Sequence, residues 1–245
     1  MVVSGVTAQP QVGQPVGRQP VSSDASLAAQ PQVDNAAEPT SIETLQQSTL
    51  ASEFASRRTS DSEIAAANSF MANMGFEPQT GQNNYWGQKA TYASPQATGR
   101  TASPTQPMMD TYEIQVQDYA KRGSGDQGAI ARISVSGGGT SEVYTFALIA
   151  KNGDFDRAEE YMVVNNAGSL QVVMANSWWS CTQEQLKQKC LCPCALAIFT
   201  CPTSTWSAYL GCLANRCGVC FVKASACCAC NCKWWCQRFA GCCHQ

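Results

Sequence analysis

Alternating apolar and polar residues mark the middle of the chain and predict β-strands. The alternation is clearest at 111–117 and 129–136, residues 142–150 have the strongest strand composition, and shorter apolar segments follow at 161–164 and 170–175. A period of two places successive side chains on opposite faces of a sheet. Glycine-rich and Asn-Gly turns separate these segments, as expected of hairpins. The pattern therefore predicts an antiparallel sheet of about four or five strands.

Helical signals flank this region on both sides. Residues 41–76 are typical of one or two short helices, and Thr40 and Ser60 each begin a capping-box pattern with a glutamate three positions on. Thr182 begins a similar pattern near the C-terminus, and Ser204 can cap a further helix. That last helix has an apolar stripe formed by Trp206, Tyr209, Leu210 and Leu213.

Two segments have the composition of unfolded or connecting chain. Residues 1–40 are of low complexity, repeat Gln-Pro, and contain few large apolar residues, so we predict a disordered arm. Residues 77–110 are rich in Gln, Gly, Pro, Ser and Thr and are predicted to be a linker. Neither segment is expected to contribute a core.

Cysteine and charge divide the chain near residue 180. All 15 cysteines lie within 181–245, whereas 1–180 contains none. Residues 1–180 carry 10 Lys/Arg and 17 Asp/Glu, a balance of −7, and 181–245 carries 6 against 1, a balance of +5. The cysteines are Cys181, Cys190, Cys192, Cys194, Cys201, Cys212, Cys217, Cys220, Cys227, Cys228, Cys230, Cys232, Cys236, Cys242 and Cys243. The asymmetry indicates two parts with separate roles.

We expect these cysteines to form disulfides. A segment of 65 residues buries too little apolar surface for independent stability, and each bridge adds typically about 2–4 kcal/mol. Disulfides persist in oxidising compartments, which implies a secreted, extracellular protein. Spacing does not reveal which cysteines pair, and an odd number leaves one over.

A metal site is the alternative chemistry for the cysteines. Cys217, Cys220, Cys227 and Cys230 form a C-x₂-C…C-x₂-C pattern that would suit zinc, although the interval between the pairs is short. The many aromatic residues of 181–245 are unlike a metal-thiolate cluster protein, in which the metal replaces the core. We therefore expect no cofactor, with zinc as the alternative.

Catalytic motifs are not evident. The single histidine, His244, stands beside Cys243 near the end of the sequence, and adjacent side chains diverge rather than meet. The G-x-G-x-x-G pattern at 123–128 precedes a strand pattern rather than a helix, so it is interpreted as a hairpin loop and not as a nucleotide site. We expect no enzymatic activity and no nucleic-acid partner.

Cations and tryptophans near the C-terminus favour contact with an anionic membrane surface. Tryptophan prefers the headgroup boundary, and Lys or Arg is attracted to anionic lipid. The candidate membrane-contact residues are Lys233, Trp234, Trp235 and Arg238.

The layout resembles precursors of cysteine-rich bacteriocins of the halocin type and their bacterial relatives. A strand-rich acidic part ends in VVMANSWWSC, and a cationic cysteine-dense segment follows directly, with NSWWSC (176–181) as the local anchor. The cysteine density exceeds what that family leads us to expect. The resemblance implies an N-terminal leader or immunity region that masks a toxin until a processing protease releases it. The implied cleavage region comprises Ala175, Asn176, Ser177, Trp178, Trp179 and Ser180.

The sequence thus predicts a mixed fold class: a disordered N-terminal arm (1–40), short helices (41–76), a linker (77–110), a small antiparallel β region (111–180) and a small helical, disulfide-rich, cationic module (181–245). The predicted function is a precursor of a secreted, membrane-active antimicrobial peptide. A metal-storage protein and a secreted, cross-linked structural protein are the alternatives.

Overall fold

The computed structural model of the chain describes residues 38–92, 109–137, 140–175, 178–190 and 192–229. These residues form an antiparallel sheet of eight strands with helices on both faces. The predicted mixed fold is confirmed for them, since an antiparallel sheet is followed by a helical region that contains disulfides. The predicted arm, apart from its last three residues, lies outside the described residues.

The sheet is built mainly from consecutive antiparallel strands. The strands are β1 (Ser41–Thr44), β2 (Phe76–Pro78), β3 (Tyr85–Thr91), β4 (Met109–Lys121), β5 (Gln127–Gly137), β6 (Thr140–Ala150), β7 (Glu159–Asn166) and β8 (Ser169–Met174). Their order is β1-β3-β4-β5-β6-β7-β8, and β2 also pairs with β4. The strands β4 to β8 lie side by side in chain order because hairpin turns connect them.

Six helices cover the two faces among the described residues. They are α1 (Gln47–Ser60), α2 (Ser62–Asn73), α3 (Trp178–Lys189), α4 (Cys192–Thr200), α5 (Trp206–Cys217) and α6 (Val219–Ala229). Helices α1 and α2 pack on one face, and α3, α5 and α6 pack on the other, where α4 lies against α3 and α5. The described region is therefore a three-layer arrangement with the sheet in the middle.

Alternation along the strands distributes the apolar side chains between two cores. In β6, Phe146 and Leu148 belong to the core under α3–α6, whereas Ala147 and Ile149 belong to the core under α1 and α2. A register slip of one residue would exchange the two sets, so burial on both faces fixes the register strongly.

Strand β3 lies inside the predicted linker 77–110, so that prediction is wrong at this position. Tyr85 is buried in the core under α1 and α2, and Trp86 is buried in the core under α3–α6, because β3 has helices on both of its faces. Gly87 and Gln88 are also buried, and these residues hide the apolar signal of a strand.

The predicted capping boxes before α1 and α2 are both wrong in detail. The residues after Thr40 form β1 instead of a helix. Helix α2 is capped by Asp61 rather than Ser60: Oδ1 of Asp61 accepts hydrogen bonds from the backbone N–H groups of Glu63 (3.0 Å) and Ile64 (3.2 Å). A carboxylate oxygen at this position satisfies N–H groups that have no partner within the helix.

The two helices predicted near the C-terminus also begin at residues other than the predicted ones. Helix α3 begins at Trp178, so Thr182 lies inside it, and its hydroxyl donates a hydrogen bond of 2.7 Å to the carbonyl of Trp178. Helix α5 is capped by Thr205 rather than Ser204, because the Thr205 hydroxyl accepts from the N–H of Ala208 (3.2 Å). Neighbouring residues of equal capping ability cannot be separated by sequence alone.

Candidate functional site

The cysteine-rich helices (α3–α6) and the sheet share one hydrophobic core. Trp178 is fully buried and stacks on Phe146 of β6, with ring centroids 5.6 Å apart. Trp206 is also fully buried and meets Phe155 edge to face at 4.6 Å. Large aromatic contacts of this kind contribute strongly to core and interface stability. The interface between the sheet and the cysteine-rich helices is therefore the candidate functional site.

A buried carboxylate of the sheet holds the start of α3. Glu160 in β7 is 2% exposed, and its two oxygens accept hydrogen bonds from the backbone N–H groups of Trp178 (2.8 Å) and Trp179 (3.0 Å). The first N–H groups of a helix lack partners within the helix and carry partial positive charge. Glu160 thus caps α3 from a different layer of the fold.

A second buried carboxylate holds the start of α5. Asp118 in β4 is 1% exposed, and its Oδ1 accepts a hydrogen bond of 2.9 Å from the N–H of Ser207. Burial raises the pKa of Asp118 to about 6, although the hydrogen bond from Ser207 acts in the opposite direction. Two acidic groups of the sheet therefore fix the positions of two helix N-termini.

Further polar contacts across the interface join side chains to backbone carbonyls. The indole N–H of Trp179 and the amide of Gln183 both donate to the carbonyl of Phe155, at 2.9 and 3.0 Å. The indole N–H of Trp206 donates to the carbonyl of Gln127 at 3.3 Å. Buried polar groups that are paired in this way specify one arrangement of the layers.

Ser225 of α6 joins a strand and a helix at the centre of the interface. The indole N–H of Trp178 lies 3.2 Å from both the hydroxyl and the carbonyl of Ser225, and the hydroxyl of Tyr112 is hydrogen-bonded to the Ser225 hydroxyl. All three side chains are buried. Sequence reasoning identified no role for Ser225, because a serine within a helix gives no signal of such a contact.

Three disulfides join described cysteines, and all of them lie within the cysteine-rich helices. Cys181–Cys228 has a Cα–Cα distance of 5.7 Å, Cys190–Cys220 of 6.1 Å, and Cys201–Cys212 of 5.7 Å. The first two join the α3 segment to α6, and the third joins the end of α4 to α5. Residues 1–180 contain no cysteine, so no disulfide can join the sheet to these helices. These bridges are compatible with an oxidising compartment.

Cys194 and Cys217 are free and buried. Burial raises the pKa of the Cys217 thiol, and a hydrogen bond with Cys194 adds to this effect. A thiol with a raised pKa stays protonated, which makes it a poor nucleophile and a poor metal ligand. This pair is therefore unlike the activated cysteine of an enzyme.

The alternative zinc set meets an obstacle at two of its four cysteines. Cys220 is bonded to Cys190, and Cys227 is also disulfide-bonded, so neither is a thiolate. Cys230 lies outside the described residues. Among the residues that the structure describes, no group of three or more His, Cys, Asp or Glu is arranged to hold a metal ion.

Several predicted site residues lie outside the described parts of the chain. These are the membrane-contact candidates Lys233, Trp234, Trp235 and Arg238, the cleavage candidates Asn176 and Ser177, the side chain of Cys192, and the cysteines Cys230, Cys232, Cys236, Cys242 and Cys243. The other cleavage candidates differ in accessibility. Ala175 is half-buried and Ser180 is exposed, whereas Trp178 and Trp179 are buried.

Helix α4 presents an apolar and cationic surface that the predicted site does not include. Leu196 and Phe199 are 63% and 69% exposed. The ammonium of Lys187 lies 5.7 Å from the centroid of the Phe199 ring, and Arg216 donates a hydrogen bond of 2.6 Å to the hydroxyl of Thr200. Leu196 and Phe199 are three residues apart, which places them on one face of the helix, and this spacing is the sequence signal that could have revealed the surface.

Two ion pairs link cations of the cysteine-rich helices to acids that precede them in the chain. Lys187 pairs with Asp156 at 2.7 Å, and Lys223 pairs with Glu38 at 3.5 Å. In both pairs the cation belongs to the cationic part of the sequence and the carboxylate to the acidic part, as the division of charge leads us to expect.

Residues 123–126 of the glycine-rich pattern lie in the turn between β4 and β5, and Gln127 and Gly128 begin β5, which confirms the interpretation of the pattern as a hairpin loop. Among the described helices, none alone is long and apolar enough to cross a bilayer; α5 and α6 together satisfy length and composition but meet at a 120° bend.

Comparisons of the chain with protein-family models, with curated proteins and with solved structures found no match.

Proposed function

We propose that the chain is the precursor of a secreted, disulfide-stapled cationic antimicrobial peptide, with the cysteine-free part before residue 175 as its leader or immunity region. The observation that carries this proposal is the placement of the cross-links. Every disulfide between described cysteines lies within 181–228, and the contact with the sheet is entirely noncovalent. One cut between the two parts would therefore give a cysteine-free acidic piece and a stapled cationic piece.

The geometry of the interface supports a masking role for the sheet. The sheet covers three buried tryptophans, Trp178, Trp179 and Trp206, which are residues that favour the membrane boundary when exposed. Asp156 and Glu38 pair with two of the cations that would attract the peptide to anionic lipid. Removal of the sheet would expose both features together.

Burial limits where a protease can act on the folded precursor. Trp178 and Trp179 are buried, and Glu160 holds their N–H groups, so cleavage after them requires local unfolding. Met174, at the end of β8, is 65% exposed. We therefore propose that processing occurs between Met174 and Trp178, at the N-terminal side of the predicted region.

Helix α4 supplies a further membrane-contact surface in this proposal. Leu196 and Phe199 are exposed beside Lys187 and Arg216, a combination of apolar and cationic groups that suits the headgroup region of an anionic bilayer. Phe199 enters the acyl boundary, while the cations remain among the lipid phosphates.

The test is to replace residues 175–177 with a recognition site for a specific protease and to compare vesicle binding before and after cleavage. Vesicles of phosphatidylcholine alone and of phosphatidylcholine with phosphatidylglycerol serve as the two surfaces. We expect the released peptide to bind the anionic vesicles at least tenfold more tightly than the intact chain. Equal binding before and after cleavage would overturn the masking role.

Paired variants distinguish vesicle binding through the α4 surface from nonspecific binding through any exposed apolar residue. Leu196→Ser with Phe199→Ser removes two exposed apolar side chains from the peptide, whereas Val173→Ser with Met174→Ser removes two from the end of the sheet. We expect weaker vesicle binding of the cleaved peptide only for the first pair. Growth inhibition of a sensitive bacterium by the cleaved peptide, and its suppression by added sheet fragment, tests the antimicrobial role itself.

A further inference from the structure

The two edges of the sheet differ in how they are protected against pairing with a further strand. One edge is divided between β1 and β2, which have four and three residues and carry Glu43, Glu77 and Pro78. Short strands, charges and proline are the devices by which proteins keep sheet edges from associating. The other edge is β8, whose six residues, SLQVVM, include no charged residue, proline or glycine. This edge therefore lacks the protection that the first edge has.

The backbone of β8 presents alternate residues to its outer side. The N–H of Ala175 donates a hydrogen bond of 2.8 Å to the carbonyl of Glu160 in β7. In an antiparallel pair, alternate residues direct both N–H and C=O toward the neighbouring strand, so Gln171 and Val173 share the orientation of Ala175. The residues whose N–H and C=O point away from β7 are Leu170, Val172 and Met174. Among the described strands, none lies on that side of β8.

The hairpin that carries this edge is uncharged. Residues 161–183 contain no Asp, Glu, Lys or Arg, although the chain has 16 Lys/Arg and 18 Asp/Glu. A charged partner strand would therefore find no opposite charge on β8. A twofold dimer places each residue near the axis close to its own copy, so a charge there would meet a like charge. A neutral edge has no such repulsion, and this favours a second copy of the chain as the partner.

We propose that β8 pairs antiparallel with β8 of a second copy, so that the two sheets become continuous. With the twofold axis at Val172, this residue lies opposite Val172 of the partner subunit. Leu170 then lies opposite Met174 of the partner subunit, and every outward N–H and C=O of these residues is paired. Leu170 and Val172 both pack toward the core under α1 and α2, so apolar side chains meet on that face.

The same geometry limits the assembly to two chains. An isologous contact uses the same strand of both copies, so each β8 is occupied once the dimer has formed. The divided edge at β1 and β2 remains protected by its charges and its proline. The contact therefore closes and does not extend into a fibre.

The size of the edge makes this dimer a reversible one. Six residues at about 3.4 Å each give a length of roughly 20 Å, and with a thickness of about 10 Å the edge offers about 200 Å² per copy. Stable complexes cover roughly 800 Å² per partner. We therefore expect a dissociation constant of roughly 1–100 μM.

The dimer goes beyond the proposed function, and one consequence connects the two. Met174 borders the proposed processing region and lies within the paired strands of the dimer. The second copy would therefore shield the start of that region from a protease. This consequence rests on the proposed function, whereas the pairing of the strands does not.

The test is sedimentation velocity of the full chain over a range of concentrations, combined with amide hydrogen exchange followed by NMR. We expect a change from monomer to dimer, with protection of the Leu170, Val172 and Met174 amides that increases as the dimer forms. The amides of Gln171 and Val173, which face β7, should be protected at every concentration. A chain that stays monomeric up to about 1 mM, or that assembles without limit, would overturn the proposal. Protection of the three outward amides in the monomer would also overturn it, because another segment of the same chain would then cover the edge.

Variants locate the contact on β8. Met174→Pro removes an N–H that points away from β7, so the hairpin keeps its own hydrogen bonds, and we expect dimerisation to weaken about tenfold. Val173→Lys places an ammonium on the edge strand, whereas the matched control Val143→Lys places one on β6; both valines are 37% exposed. We expect dimerisation to weaken about tenfold for the first lysine and to stay unchanged for the second.

Dimerisation of all three variants at the concentrations of the natural chain would contradict the assignment to β8. If a variant does not fold, the exchange pattern of the natural chain decides the question. Equal vesicle binding before and after cleavage would leave this pairing untouched, so the two proposals fail separately.

Discussion

The N–H of Ser207 donates a hydrogen bond of 2.9 Å to Oδ1 of Asp118, across 89 positions of sequence. Ser207 lies in the first turn of α5, and Asp118 lies in β4 with its side chain 1% exposed. The N-terminus of the helix stabilises a charge on this carboxylate, and the carboxylate accepts a hydrogen bond from an N–H group of the first turn that the Thr205 cap leaves without a partner. The cysteine-rich helices are therefore attached to the sheet through an ionisable group.

This contact predicts an unusual dependence of stability on pH. The pKa of Asp118 is raised to about 6 in the folded protein, from an ordinary value of 3.8, so the folded state binds the proton more tightly than the unfolded state. The contribution of Asp118 to stability is full below pH 4 and is lost as pH rises through 6. A shift of this size corresponds to roughly 3 kcal/mol. The unfolding free energy of Asp118→Asn minus that of the natural chain should rise by roughly 2–3 kcal/mol between pH 4 and 7, as measured by urea denaturation.

Asp126→Asn is the matched control, because its expected effect has the opposite sign. Hydrogen bonds from the N–H of Asn152 and from Ser124 lower the pKa of Asp126. Its contribution is therefore present at neutral pH and is lost as pH falls below the ordinary range. Identical pH profiles for the two variants would contradict the assignment of the titration to Asp118.

Replacement of Glu160 should weaken the same interface at the start of α3. Glu160→Ala leaves the buried N–H groups of Trp178 and Trp179 without their acceptor, which costs about 1–3 kcal/mol for each group. We expect a loss of roughly 2–5 kcal/mol in unfolding free energy, measured by urea denaturation. Glu159→Ala, which removes the adjacent glutamate and its ion pair with Lys151, should have a much smaller effect. Equal losses would show that Glu160 is not the anchor.

Close packing at Gly211 predicts a steric effect between α5 and β3. A Cβ atom at Gly211 would lie 3.2 Å from Cδ1 and 3.3 Å from Nε1 of Trp86, which is buried. Gly211→Val should therefore lower the unfolding free energy by roughly 2 kcal/mol through overpacking. Asn215→Val, at an exposed position of the same helix, measures the cost of a β-branched residue alone. Similar thermal midpoints for both variants would argue against close contact with Trp86.

The disulfides should differ in stabilisation according to the loops they close. Cys181 and Cys228 are separated by 47 positions, and Cys201 and Cys212 by 11. Because the Cys190–Cys220 bridge lies inside the first loop and shortens it, loop-closure entropy predicts slightly more than about 3 kcal/mol for the first bridge and slightly less than about 3 kcal/mol for the second. The double alanine variants of the two bridges, compared by urea denaturation, should show the larger loss for Cys181–Cys228. The reverse order would mean that native packing, and not chain entropy, determines the contribution.

The sheet was predictable from sequence where burial on each face follows the period of two. The segments 111–117 and 129–136 lie within observed strands because their apolar residues alternate, and 142–150 lies within one because it is a run of β-branched, aromatic and aliphatic residues. Strand β3 was missed because Gly87 and Gln88 are buried within it, and a glycine or glutamine gives no apolar signal.

The shared core was not predictable from local patterns. Trp178 and Trp179 are adjacent in sequence, yet both are buried, because one ring stacks on Phe146 of the sheet and the other meets Trp206 of α5. Two neighbouring side chains can both be buried when a helix begins between two layers. No propensity or spacing rule contains that information, and the same limit applies to disulfide partners, which depend on how helices cross.

Since residues 1–180 contain no cysteine, errors of disulfide pairing during folding are confined to residues 181–245. A wrongly paired bridge can therefore exchange only within that segment. The sheet therefore orders the helices by shape and hydrogen bonding, and it takes no part in the thiol–disulfide exchange that links them.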